Sequence, residues 1–294
     1  MHGLSSGMNR RPVFLLLSVA AFAALSGCAN DNSGFTWGWH VVSPYTPRGR
    51  NNLTFLAEGF LETILLSLAT LALSLSLGLI VALLGLSSWA PFARLAPLPE
   101  ETAGRPAAEA TPRARLARWR PLNTINRLYV EVFRSIPMLV MILWVFYGIP
   151  TVTGLQLSIF VAAMLAIAIC DSAFEAEIFR GGIQSIDRGQ REAARSLGLQ
   201  PWQELRLVVL PQAIRRILPP LGNQFVYITK ISSLASVIGL GELTRKANEL
   251  NVTEFRPLEI YSVLVLEYLV LILVISFFVR RLERRFGSDE SQRR

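Results

Sequence analysis

Five long apolar runs set the pattern of the chain, at residues 60–86, 132–149, 155–174, 217–240 and 260–279. Each is close to the roughly 20 residues that carry an α-helix across a hydrocarbon core. A helix is expected in each because it satisfies its own backbone polar groups where no water is available. Pro137 falls near the start of the second run. A shorter run over residues 13–25 follows Arg10 and Arg11. It is too short to span and suits the apolar core of a signal peptide. The pattern predicts an all-α membrane protein, a five-helix core preceded by a signal-peptide or anchor segment.

Composition supports a membrane class. Of 294 residues, 52% are hydrophobic and the mean hydropathy is +0.41; soluble domains are usually less apolar. The net charge of +8 is carried almost wholly by arginine. Those arginines cluster beside the apolar runs, which fits membrane topology rather than nucleic-acid binding. Cys28 and Cys170 are the only thiols, and His2 and His40 the only histidines. A zinc site and a histidine-based catalytic triad are therefore excluded. The lysines, Lys230 and Lys246, follow Thr229 and Arg245, so no Gly-Lys-Ser/Thr phosphate loop exists. The chain is expected to be no enzyme and to take its energy from a partner. It calls for no cofactor and no metal.

The connections orient the core. Arg94, Arg105, Arg113, Arg115, Arg118, Arg120 and Arg127 follow the first run. Arg180, Arg188, Arg191, Arg195, Arg206, Arg215 and Arg216 lie between the third and fourth, and Arg280, Arg281, Arg284 and Arg285 end the fifth. Residues 148–156 carry no charge. Positive charge marks the cytoplasmic side, so the core enters from the periplasm and its C-terminus is cytoplasmic, as expected for a multi-pass protein of a bacterial inner membrane. Leu25-Ser26-Gly27-Cys28 resembles a bacterial lipobox, which would make Cys28 a lipidated N-terminus; the other reading is an uncleaved anchor. The domain reading is then 1–28 signal peptide or anchor, 29–52 an exposed periplasmic tail, 53–286 the transmembrane domain and 287–294 a cytoplasmic tail. Within that domain, residues 91–121 are rich in Pro, Ala, Glu and Arg and read as a flexible cytoplasmic insertion.

A polar stretch between the third and fourth runs, Gln190 to Pro211, reads QREAARSLGLQPWQELRLVVLP. Glu192, Ala193 and Ala194, then Gly198, then Val208, Leu210 and Pro211 have the spacing of the EAA loop of ABC importer permeases, which they resemble. Other segments resemble the polar amino acid uptake group (histidine, glutamine, glutamate and arginine) of that superfamily. They are Tyr129 to Pro137, Phe174 to Ile183, Pro211-Gln212-Ala213, Pro219-Pro220-Leu221 and Lys230 to Leu234, within residues 52–286. The resemblance departs in the length of the 91–121 insertion, in Ser232 where threonine is more usual, and in the lipobox-like start. It implies a type I importer core of five helices, with the 186–211 loop seated in a groove of an ABC ATPase subunit. It also implies an ATPase pair, a second permease subunit, identical or related, and a periplasmic amino-acid-binding protein. Rival readings are uptake of another small polar solute, such as an opine or an organosulfur amino acid, and a membrane anchor for a sensory ATPase complex.

Physical reasoning from the residues gives two short helices in the loop, broken at Gly198, which can take a positive φ, and restarted at Pro201. Glu192 stands at helical neighbour spacing from Arg195 and Ser196. Gly181-Gly182 would allow a bend where the third helix leaves the membrane. Ionisable groups inside membrane segments face a cavity or a partner. Glu62, Lys230 and Glu267 are the candidates for the substrate path, and Asp171 and Glu177 are read as structural. Lys230 and Glu267 lie at similar depth; they either pair with each other or meet the two charges of a zwitterionic substrate.

Overall fold

The computed structural model describes residues 36–86 and 121–286. The predicted signal or anchor segment with Cys28, the 91–121 insertion apart from Pro121, and the 287–294 tail lie outside them. Among the described residues all regular elements are helical. They are α1 (Pro47–Leu86), α2 (Pro121–Ser135), α3 (Met138–Thr153), α4 (Ile159–Gln184), α5 (Arg188–Ser196), α6 (Pro201–Ile238), α7 (Leu243–Glu254) and α8 (Pro257–Phe286). By length and composition α1, α4 and α8 can each cross a membrane, and the bent pairs α2/α3 and α6/α7 raise the count to as many as five.

Proline explains the sharper bend. Pro137 is extended, at φ −60° and ψ 132°, and α2 and α3 meet there at 100°. Its ring excludes the helical conformation from the residue before it and supplies no N–H. The second apolar run is therefore split, with residues 132–135 closing α2 and 138–149 lying in α3, and α2 lies across α3. Pro219 and Pro220, by contrast, sit inside α6 without ending it; neighbouring helices make such prolines tolerable in a membrane core.

Packing inverts the soluble pattern. The buried face of α1 carries Leu56 and Leu66 but is otherwise mostly small or hydroxyl-bearing, with Gly59, Thr63, Ser67, Thr70, Ser74, Gly78 and Ala82, while Leu61, Leu65, Leu68, Leu79, Ile80 and Leu83 point outward. Small residues at intervals of three and four let backbones approach where lipid removes any hydrophobic drive between helices. A Cβ added at Gly78 would stand 2.9 Å from Glu175 Cβ, which measures how closely α1 meets α4. The two helices run parallel: Leu66 packs with Ala162, Ala163 and Ala166, and Ala82 with Ala176. Ser74 donates to Glu175 at 3.0 Å and Gln224 of α6 donates to Asp171. Both acids are fully buried, so Asp171 joins helices within the subunit. Glu177 instead pairs with Arg180 at 2.5 Å.

The start of the described chain differs from the exposed tail expected over residues 29–52. Val41 and Val42 are buried in a 3₁₀ turn, Trp39–Val42, packed with Leu56, Ala247, Leu250 and Ile260. Gly38 donates its N–H to buried Glu259 at 2.6 Å, and Arg48 pairs with Glu254 at 2.6 Å. Trp37 stacks on Trp39, while Tyr45 is exposed. Helix α1 begins at Pro47, well before the apolar run, because this polar first stretch is held by α7 and α8. These contacts are non-local, so no local pattern announced them.

Candidate functional site

The loop between α4 and α6 folds as an elbow. Asp187 caps α5 by accepting from Gly189 N–H at 2.6 Å. Helix α5 ends at Ser196 with Leu197 as its cap, and Gly198 follows at φ +77°, a conformation that L side chains rarely adopt. Gln200 then opens α6 in a reciprocal cap with Gln203, and Pro201 occupies the first turn, where its missing N–H is not needed. The break is where the sequence placed it. The second arm, however, is no separate short helix: it is the start of α6, which continues through a π turn at Leu205–Val209 to Ile231. Pro211 has no N–H for the fourth carbonyl before it, which accounts for the disturbed turn. The Gln212 side chain donates to Val208 O at 2.9 Å beside it.

The elbow is held from within. Arg195 Nε lies 2.9 Å from Glu204 Oε2, and the Glu204 side chain is only 7% exposed. This ion pair ties α5 to the second arm; Glu192, at helical spacing, adds a weaker attraction on Arg195, and Ser196 Oγ donates to the Glu192 carbonyl. The hydrogen bond from Arg195 to Glu204 raises the Arg195 guanidinium above its ordinary pKa. Arg191 donates to Ile183 O, so the elbow is also tied to the end of α4. Beneath it, Ile186, Val209, Ala213 and Ile217 form a small apolar core.

The sequence-derived positions divide by burial. Ala194 is buried, while Glu192, Ala193, Gly198, Leu210 and Pro211 are exposed and Val208 is half-buried. The outward face also carries Leu197, 82% exposed, and Trp202, 65% exposed. Neither was singled out from the sequence, nor was Glu204. Two exposed bulky apolar groups flanking a break are the available signal. Among the described residues, its two chain neighbours aside, nothing lies within 4 Å of a Cβ added at Gly198.

Gly181 and Gly182 do not interrupt α4, which runs through them to Gln184. A Cβ at Gly182 would lie 2.2 Å from Ile217 Cγ1, so this glycine permits close approach of α4 and α6. Gly182→Ala is expected to lower stability by about 1–3 kcal/mol through overpacking. Adding Ile217→Ala removes the clashing atom and leaves Ile217 Cβ at 3.5 Å, so the double variant should melt above the sum of the single effects. Thermal unfolding in detergent measures both.

Of the membrane-embedded candidates, Lys230 is exposed, Glu62 is half-buried, and Glu267 has a buried Oε2 with no hydrogen-bond partner among the described residues. Among the described residues no ion pair joins Lys230 to Glu267. The structure thus forms the elbow as a unit and does not bring Lys230 and Glu267 together as a pair.

Comparison with known proteins places this architecture. Residues 110–288 match the family described as binding-protein-dependent transport system inner membrane component. The chain belongs to that family. The permease is 44% identical over 164 residues to the glutamine transport system permease protein GlnP of Escherichia coli (strain K12), covering 55% of this chain and 75% of that protein. It is 34% identical over 235 residues to the probable glutamine ABC transporter permease protein GlnM of Bacillus subtilis (strain 168), covering 80% and 94%. Its fold matches a crystal structure of an amino acid ABC transporter with histidines at a TM-score of 0.69 and 31% identity, covering 85% of this chain and all of that one. The permease is thus a multi-pass transport subunit with a type I importer core, and not an enzyme.

Proposed function

We propose that this permease is the membrane-spanning subunit of an ATP-driven importer of polar amino acids. Two ATPase subunits dock on the elbows of a permease pair, identical or related, and a periplasmic binding protein delivers the substrate. The elbow lies on the cytoplasmic side with the C-terminus, in keeping with the arginines around both. The observation that carries this reading is the elbow's form: two helical arms fixed to each other by Arg195 and Glu204, with Leu197 and Trp202 held outward. Exposed apolar anchors on a rigid element are what a partner's groove requires. The glutamine permeases among the relatives and the amino acid transporter among the structures support the substrate class. ATP binding would draw the ATPase pair and the elbows together and favour the outward-facing state; hydrolysis would reset it. Glu267, Lys230 and Glu62 are the residues proposed to meet the substrate along the path.

Uptake of radiolabelled amino acids into proteoliposomes, with the ATPase and the cognate binding protein present, tests the function. ATP-dependent uptake of glutamine, histidine or arginine is expected; ligand-stimulated hydrolysis without uptake of any amino acid would defeat the proposal. The elbow's rigidity makes a separate prediction. Arg195→Gln strands the buried Glu204 carboxylate and loosens the arms, so fewer substrate molecules should enter per ATP hydrolysed. Arg195→Gln with Glu204→Gln removes the stranded charge and should recover part of that ratio. Parallel assays of uptake and phosphate release give the number directly.

A further inference from the structure

A second feature of the same end of the molecule has no part in the elbow. Between the polar face of α2, the last turn of α1 and the end of α4 lies a cavity of about 720 Å³. That volume falls within the range of about 300–1,000 Å³ usual for ligand pockets. Arg127, Arg134 and Arg180 line it against Glu131 and Glu177, so positive charge is in excess. Glu177 already engages Arg180, and Arg180 also donates to Gln184. Arg134 lies over the Phe174 ring at 4.9 Å, and neither Arg127 nor Arg134 makes an ion pair among the described residues. Asn123 and Asn126 reach the rim, and their amides already donate to carbonyls of α1, fixing α2 against it. Two guanidinium groups, held in no ion pair among the described residues, thus face a roomy polar cavity whose lining, with Glu131 and Glu177 counted, keeps one positive charge in excess.

The placement of α2 indicates what comes to that cavity. Helix α2 turns 100° away from α3, so the two do not form one straight span. Ile125, Leu128 and Val132 form an exposed apolar stripe at spacings of three and four. Arg127, Val130 and Arg134 project on the other side, toward the cavity. A helix with one apolar exposed face and one basic face, next to the end of a span, lies in the plane of the membrane interface. The last turns of α1 before Gly85 also expose Leu79, Ile80, Leu83 and Leu84.

We propose that this cavity binds the phosphate headgroup of an anionic phospholipid of the adjacent leaflet. Arg127 and Arg134 take the phosphate oxygens, because guanidinium N–H groups match them in charge and geometry. The acyl chains run along the apolar surface of α1. The site ties α2 to α1 and α4 beside the elbow, through a component of the bilayer rather than of the protein.

The test uses the full chain in nanodiscs of phosphatidylcholine with or without phosphatidylglycerol. Native mass spectrometry counts the lipids retained on release. The wild type is expected to retain phosphatidylglycerol over phosphatidylcholine by roughly fivefold or more per arginine engaged. Arg127→Gln with Arg134→Gln should bring the two lipids to near parity, and Arg134→Lys should keep part of the preference by keeping the charge. Both arginines are exposed and make no ion pair within the described residues, so thermal melting in phosphatidylcholine alone should fall by no more than the small loss of the exposed Arg134–Phe174 contact and certify the fold. Arg281→Gln, an exposed arginine near the end of α8, should leave retention unchanged. Equal retention in the wild type and the double variant, or equal loss in the Arg281 variant, would overturn the site. Protection of the wild type by inorganic phosphate in phosphatidylcholine, with no lipid preference, would instead assign a soluble anion and overturn the lipid.

Discussion

Gly198→Asp is expected to cut ATP-driven uptake by more than about tenfold while the subunit remains folded and inserted, the equivalent of losing over 1.4 kcal/mol at one contact. Aspartate tolerates the left-handed backbone better than most residues, and among the described residues, its chain neighbours aside, no atom stands within 4 Å of the new Cβ. Folding therefore has little reason to fail. The damage should arise where the proposed ATPase groove meets the elbow and must desolvate a carboxylate. Gly198→Asn supplies nearly the same shape without the charge and should fall between wild type and aspartate. Co-purification of the ATPase with each variant, alongside uptake, decides the matter. Full uptake by the aspartate variant at normal expression would remove the elbow from the coupling surface.

The second large effect concerns selectivity. Glu267→Gln is expected to weaken competition by arginine relative to glutamine by about tenfold, since a carboxylate in a low-dielectric setting favours a cationic side chain. Its buried Oε2 has no hydrogen-bond partner among the described residues, so its carboxylate is not committed to a bond within the subunit there. Because Lys230 is not paired with it, the change strands no buried lysine, and expression should hold. Competition by arginine, glutamine and glutamate against one labelled substrate measures the shift. Unchanged competition ratios in a well-expressed variant would place Glu267 off the path.

Local signals in the chain were the ones that could be read from it. Gly198 and Pro201 announce the elbow's break because each has a conformational requirement met by few other residues. Apolar length located α1, α3, α4, α6 and α8. Features that depend on neighbours distant in the chain were not legible. The Arg195–Glu204 pair crosses the break, so the helical spacing rule, which finds Glu192 beside Arg195, does not reach it. Gly181-Gly182 looks like a hinge in isolation, yet Ile217 on another helix explains Gly182. Depth along ideal helices matched Lys230 to Glu267, but it carried no information on which way either side chain faces.

The parallel contact of α1 with α4 has a consequence for biogenesis. Ser74 and Glu175 are 101 positions apart in the chain, so their helices cannot meet until α3 and α4 have both left the ribosome and entered the bilayer. During that interval α1 stands in lipid with its hydroxyl-bearing face uncovered. Thr63 donates to Gly59 O at 2.9 Å and Ser67 to Thr63 O at 2.7 Å, bonds made wholly within the helix. These residues therefore carry their own hydrogen-bond partners through translation, and α1 can remain a solitary span until the helix it packs against arrives.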